Sequence, residues 1–170
     1  MSYIAPVDVQ LDCDDKTMVE PDVIILCDRS KDINRCIYGA PDFVAEVLSK
    51  STRRKDIGVK TYKYANAGVR EYWMIDPKDM KVIVYTFAQN DDAEDTVSIF
   101  GFQDKIPVGI YNGELQIDFA KSVKGWKQII SVKFLTRTII SYKMNLNCYD
   151  EDSRISLNAK ASREGESRCK

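Results

Sequence analysis

Glu46 is the residue hardest to explain as packing. It lies in Phe43-Val-Ala-Glu-Val-Leu48, an apolar run of strand character, and its neighbours on the same strand face are Val44 and Leu48. A carboxylate taken out of water needs a compensating cation, hydrogen-bond donors or a metal. An edge position or a structural salt bridge would answer that need as well as a functional site. Asp22 opens the preceding apolar run, Asp22-Val-Ile-Ile-Leu-Cys-Asp28, directly after Glu20-Pro21. Alone it reads as a turn or cap carboxylate. Paired with Glu46 from a neighbouring strand it makes a hard-oxygen site suited to Mg²⁺. Asp42, after Pro41, competes for that role, but it stands four residues before Glu46, roughly 13 Å along the strand.

Lys60 is the third candidate. On a helix read over residues 53–67, Asp56, Lys60 and Tyr64 fall on one face at i, i+4 and i+8. An exposed ladder of this kind contributes about 0.3–0.5 kcal/mol per ion pair. A short loop after the Glu46 strand can equally aim Lys60 back at the carboxylates, with Arg53, Arg54 and Lys55 near the helix start to hold phosphate. Two carboxylates and a lysine suffice for metal-assisted phosphodiester hydrolysis: the metal offsets phosphate charge and acidifies water, and the lysine orients that water and screens the transition state.

Composition narrows the field. The chain of 170 residues contains no histidine, which excludes Ser-His-Asp and Cys-His nucleophile systems, zincins, His-bearing zinc fingers and nucleases with a histidine base. Acid–base work falls to carboxylates, lysine or tyrosine. Five cysteines, with no C-x-x-C pair, argue against a structural zinc site or a disulfide scaffold. The net charge of −1 conceals a basic segment over 50–70, where seven cationic side chains face one acidic. Met1-Ser-Tyr-Ile-Ala-Pro6 has no leader character, and no run of about 18 apolar residues exists to span a membrane. The chain reads as reduced, soluble and cytoplasmic.

The elements that must position these residues follow from pattern. Tyr3–Leu11 alternates as an edge or bulged strand around Pro6, residues 12–16 form a turn, and residues 29–41 read as irregular. Asp22–Asp28 and Asp42–Leu48 are buried strands. Ser49–Thr52 supply N-caps to the 53–67 helix, which Gly68 closes. Glu71–Asp76 and Lys81–Phe87 form a hairpin around Asp76-Pro77-Lys78-Asp79, and shorter strands follow near Thr96–Phe102, Lys105–Ile110 and Leu115–Phe119. The sum is α/β, a sheet-dominated mixed sheet with a helix laid on it. Residues 125–170, with apolar pairs but no clean period and a polar end, are expected to be a loosely packed extension ending in disorder.

Glu20-Pro-Asp-Val-Ile-Ile-Leu26, Gly39-Ala-Pro-Asp-Phe-Val-Ala-Glu-Val-Leu-Ser49, Ser51-Thr52, Asp56, Lys60, Tyr64 and Gly68-Val-Arg-Glu-Tyr-Trp-Met-Ile-Asp76 together resemble the Uma-type family, bacterial restriction-endonuclease proteins of the PD-(D/E)XK nuclease fold. The resemblance runs from about Tyr3 to Val123. It implies a restriction-endonuclease-like domain over 1–124, a mixed β-sheet core with flanking helices, and an unassigned extension over 125–170. Relative to the family pattern the chain begins after an N-terminal helix and strand. Asp22 corresponds to the Asp of the PD motif and Glu46 to the second acidic position, with the Val47 backbone carbonyl as a further metal ligand. Leu48 stands where the wider superfamily has lysine, and the family pattern moves that lysine to the helix, at Lys60.

The expected function is Mg²⁺-dependent hydrolysis of DNA phosphodiester bonds, with Mn²⁺ as substitute, by a homodimer in which each site cuts one strand. Asp22, Glu46 and Lys60 carry the chemistry, Arg53, Arg54 and Lys55 contact phosphate, and Asp56 and Tyr64 support them. No organic cofactor and no membrane are expected. The alternative is an inactive or truncated member that binds nucleic acid or protein, which a steep salt dependence without a metal requirement would reveal.

Overall fold

Which apolar runs are buried on one face and which on both decides the layering. The computed structural model describes residues 1–12, 17–49 and 56–122. Its strands, in chain order, are β1 (Ser2–Ile4), β2 (Val9–Gln10), β3 (Met18–Val19), β4 (Val23–Ile25), β5 (Ile37–Tyr38), β6 (Phe43–Val47), β7 (Glu71–Asp76), β8 (Lys81–Thr86), β9 (Thr96–Gly101), β10 (Lys105–Pro107) and β11 (Gln116–Asp118). Between β6 and β7 a π-helical turn over Asp56–Lys60 runs into helix α1 (Thr61–Ala67).

Six strands form the main sheet in the order β1-β4-β6-β7-β8-β9. β6 and β7 run parallel at its centre, and the other neighbours in this sheet are antiparallel. A parallel pair requires a crossover, which the segment carrying α1 provides. One sheet face, with Val23, Ile25, Phe43, Ala45, Trp73 and Ile75, is covered by the β10–β11 hairpin and the chain around Ile110 and Phe119. The other, with Ile24, Val44, Tyr72 and Met74, is covered by Tyr64 of α1 and by Val9 and Ile37 of a small β3-β2-β5 sheet. All six residues of β7 are therefore buried. The result is an α/β, sheet-dominated, restriction-endonuclease-like architecture.

The expected strand over Tyr3–Leu11 is two strands in two sheets. Ala5 N–H still bonds Asp22 O at 3.0 Å, and after Pro6 the chain leaves the main sheet and joins the small one at Val9. Residues 29–41 hold more order than expected, a 3₁₀ turn over Arg29–Lys31 and strand β5. The helix is described from Asp56, opens as a π turn, and ends as expected at Gly68, whose φ of 91° gives the left-handed cap. Of the expected N-caps Ser49–Thr52, residues 50–52 lie outside the described residues, as do most of the 12–16 turn and the whole 125–170 extension. Cys36 is a free buried thiol. No helix among the described residues is long and apolar enough to cross a membrane.

Glu71 fastens the β10–β11 layer to the sheet. Its Oε1 accepts the Trp73 indole N–H at 2.6 Å, and its Oε2 accepts the Ile110 N–H at 2.9 Å. Burial raises its pKa above the ordinary carboxylate range, against the lowering effect of the Trp73, Gly109 and Ile110 donors and the Arg70 charge. A Cβ on Gly109 would stand 3.1 Å from Glu71 Oε2, so a larger residue there would push the carboxylate by a few tenths of an ångström against its two hydrogen bonds.

Gly109→Ala is expected to lower stability by about 1–3 kcal/mol in urea unfolding. A raised folded pKa means that the contribution of Glu71 is fully present below its unfolded value of 4.5 and is lost as pH rises through the folded value. Matched urea titrations should therefore find wild type losing stability relative to Glu71→Gln as pH rises from about 4 to about 7. A constant difference between the two would refute the assignment.

Candidate active site

Strand register sets the first two groups side by side. Val23 pairs with Ala45 and Ile24 with Val44, so the next position of the same antiparallel register sets Asp22 opposite Glu46. Alternation puts both on the face that α1 covers. The Val47 N–H donates to Asp22 Oδ2 at 2.8 Å. In a strand the N–H and C=O of one residue project from the same side, so the Val47 carbonyl also faces the Asp22 side rather than β7.

The helix brings the compensation that a buried Glu46 requires. Lys60, the last residue of the π turn, donates through Nζ to Glu46 Oε2 at 2.5 Å, and Tyr64 OH donates to Oε1 at 2.5 Å. Four residues separate the two donors, so they share a helix face and each takes one carboxylate oxygen. The Glu46 side chain is 6% exposed and that of Lys60 33%, so the ammonium reaches the carboxylate from the solvent side. Tyr64 is buried and its ring packs against Tyr72 with centroids 4.8 Å apart, which fixes the phenol against the sheet. The π turn itself is a rare geometry that recurs at functional sites.

Asp42, the competitor of Asp22, is committed elsewhere. Its Oδ2 accepts the Cys27 N–H at 2.7 Å, and Arg70 lies 3.7 Å from Oδ1. Asp42 thus closes the far end of β6, and the strand carries the two acidic residues apart. Arg53, Arg54 and Lys55 lie outside the described residues, and Asp56 is described only as the backbone start of the π turn. Asp76 ends the expected strand and opens the expected turn. It is also a buried carboxylate on the Glu46 side of β7, as the spacing Tyr72, Met74, Asp76 signals, and its Oδ1 accepts the Lys78 and Asp79 N–H groups.

Two carboxylates and a strand carbonyl, with no thiolate or imidazole among them, are hard donors that fit Mg²⁺ or Mn²⁺ better than a soft metal. Among the described residues no group of three or more His, Cys, Asp or Glu could hold a metal, so the donor set depends on the backbone as well.

The sequence profile of the Uma2 family, described as "Putative restriction endonuclease", matches residues 1–120. The chain is also similar to a solved structure described as "a putative nuclease belonging to DUF820" from Anabaena variabilis, with a TM-score of 0.52 and 18% identity over 82% of this chain and 69% of that one. No curated protein matches it.

Lys60→Met alone is expected to destabilise the fold, because it strips a buried carboxylate of its cation. The apolar triple variant Glu46→Leu, Lys60→Met, Tyr64→Phe should unfold at the same or a higher urea concentration than wild type. Urea midpoints decide this, and a triple variant markedly weaker than wild type would mean that the cluster exists to hold the fold.

Proposed function

The chain belongs to the Uma2 family, and we propose that it is a metal-dependent nuclease hydrolysing DNA phosphodiester bonds at the Asp22–Glu46–Lys60 cluster. The observation that carries this reading is the placement of Asp22 and Glu46 at facing positions of neighbouring strands, with the Lys60 ammonium held on Glu46 at 2.5 Å. Asp22, Glu46 and the Val47 carbonyl would hold Mg²⁺ or Mn²⁺, which would supply Lewis-acid stabilisation of phosphate charge and an acidified water.

The remaining work falls to this chain's own side chains. Tyr64 holds Glu46 Oε1 and so fixes the carboxylate plane. Lys60 reaches in from the solvent side, where an incoming phosphate would arrive, and its ammonium can orient a water and offset charge that develops on phosphate oxygens. Arg53, Arg54 and Lys55, directly before the π turn in sequence, supply the phosphate contacts in this reading, and Asp56 supports them. Cutting both strands of a duplex calls for two sites, which a homodimer supplies. In this reading the chain acts on DNA in the bacterial cytoplasm.

The test is cleavage of supercoiled plasmid and oligonucleotides in Mg²⁺ or Mn²⁺ against an EDTA control. Metal-dependent nicking is expected, abolished in folded Glu46→Gln and reduced about 10²–10⁴-fold in Lys60→Ala. Retained activity in Lys60→Ala with loss in Glu46→Gln would keep the metal site and remove the lysine from it. No cleavage by folded wild type under any metal would overturn the proposal.

A further inference from the structure

The two edges of the main sheet are built differently. The β1 edge is three residues long and is followed by Pro6. The β9 edge is six residues long, Thr-Val-Ser-Ile-Phe-Gly, and contains no charged residue and no proline. Edge strands of monomeric proteins normally carry such protection, because unpaired N–H and C=O groups invite another strand. Val97 and Ile99 are 56% and 66% exposed, and they lie on one face beside their cross-strand partners Tyr85 and Ile83.

The hydrogen-bond alternation fixes which backbone groups face outward. Phe102 N–H bonds Met80 O at 3.1 Å, extending the β8–β9 register by one pair. Stepping back in alternation, Phe100, Ser98 and Thr96 turn their backbone groups to β8, whereas Gly101, Ile99 and Val97 turn theirs outward. Asp104 closes one end of this outer row: its Oδ2 accepts the Gly101 N–H at 2.6 Å and its N–H bonds Gly101 O at 3.0 Å. The row left open comprises the N–H and C=O groups of Val97 and Ile99, four groups for which the described residues provide no strand.

We propose that β9 pairs antiparallel with β9 of a second copy about a two-fold axis at Ser98, joining two six-stranded sheets into one. The occupant follows from self-complementarity. Only the register that sets Val97 opposite Ile99 of the second copy, and Ile99 opposite its Val97, uses every open group, and it yields four hydrogen bonds. The same register buries the apolar side chains of both residues against their counterparts, beside Ile83 and Tyr85. It sets the two Ser98 residues face to face in a non-hydrogen-bonded pair, with Cα atoms about 4.5 Å apart. Such a contact is isologous and closes, so it stops at two copies. The proposal carries the homodimer reading further, yet it rests on β9 alone and stands whether or not the chain cuts DNA.

The test is sedimentation equilibrium of the full 170-residue chain over about a hundred-fold concentration range. The expected mass rises from 19.4 kDa toward twice that value, and Ile99→Lys stays at 19.4 kDa with unchanged circular dichroism. Val97→Lys serves the same purpose if Ile99→Lys fails to fold. Mild oxidation of Ser98→Cys should give a linked dimer on a non-reducing gel above the wild-type background, and Thr96→Cys should not, because Thr96 faces Phe100 of the second copy. A wild type that stays at 19.4 kDa throughout would overturn the proposal and leave the edge to another segment or another protein. A dimer indifferent to Ile99→Lys and Val97→Lys would overturn it as well.

Discussion

A carboxylate on the face of a closely packed sheet organises most of this molecule. Glu46 stands between Val44 and Leu48, and its charge can persist there only because donors reach both of its oxygens. That requirement dictates a helix over this face of β6, with Lys60 and Tyr64 presented one turn apart. It also dictates a crossover long enough to carry the helix, which in turn sets β7 parallel to β6 at the sheet centre. The small β3-β2-β5 sheet fills the same face beside the helix, so the carboxylate is dry on most sides and open where the lysine enters.

The opposite face answers the same physical problem differently. Among the described residues no side-chain cation is in hydrogen-bond contact with the buried Glu71, and its compensation comes from an indole and from backbone amides of the 3₁₀ turn Gly109–Tyr111. Burial wins over these donors, and the carboxyl is pushed toward its neutral form. Glu46 is held instead by an ammonium and a phenol, groups that favour a carboxylate. Two buried acids on adjacent strands thus serve two ends, one fastening a layer and the other presenting negative charge at an opening.

Much of this was legible in the residues. The hairpin strands β7 and β8 begin and end within a residue of the apolar runs that define them, β7 because a strand buried on both faces leaves a continuous run and β8 although only Val82 and Val84 of it are buried. Glu46 was legible because a charged residue interrupts such a run, and Lys60 and Tyr64 because their spacing sets them on one helix face. The small sheet was not: its strands are two residues long, too short for any periodicity to register. The π turn was hidden for a similar reason, since its composition does not differ from that of an α turn. Glu71 reads as the polar start of a strand; one donor that compensates its burial, Trp73, is local, but the backbone amide comes from a distant turn that no local pattern announces.

Trp73 occupies a position with an optical consequence. In β7 it pairs with Ala45, one residue from Glu46, while its indole N–H is fixed on Glu71 and its ring meets Phe43 edge-on at 5.4 Å. The chromophore therefore sits in the strand that both covering layers enclose, with its dipole tied to the carboxylate that holds one of them. Its emission, beside that of Trp126, is therefore placed to respond to water reaching the sheet interior and to the Glu71 carboxyl on which the indole is held. The fold has in effect placed a fluorescent gauge in the core that the β10–β11 layer closes.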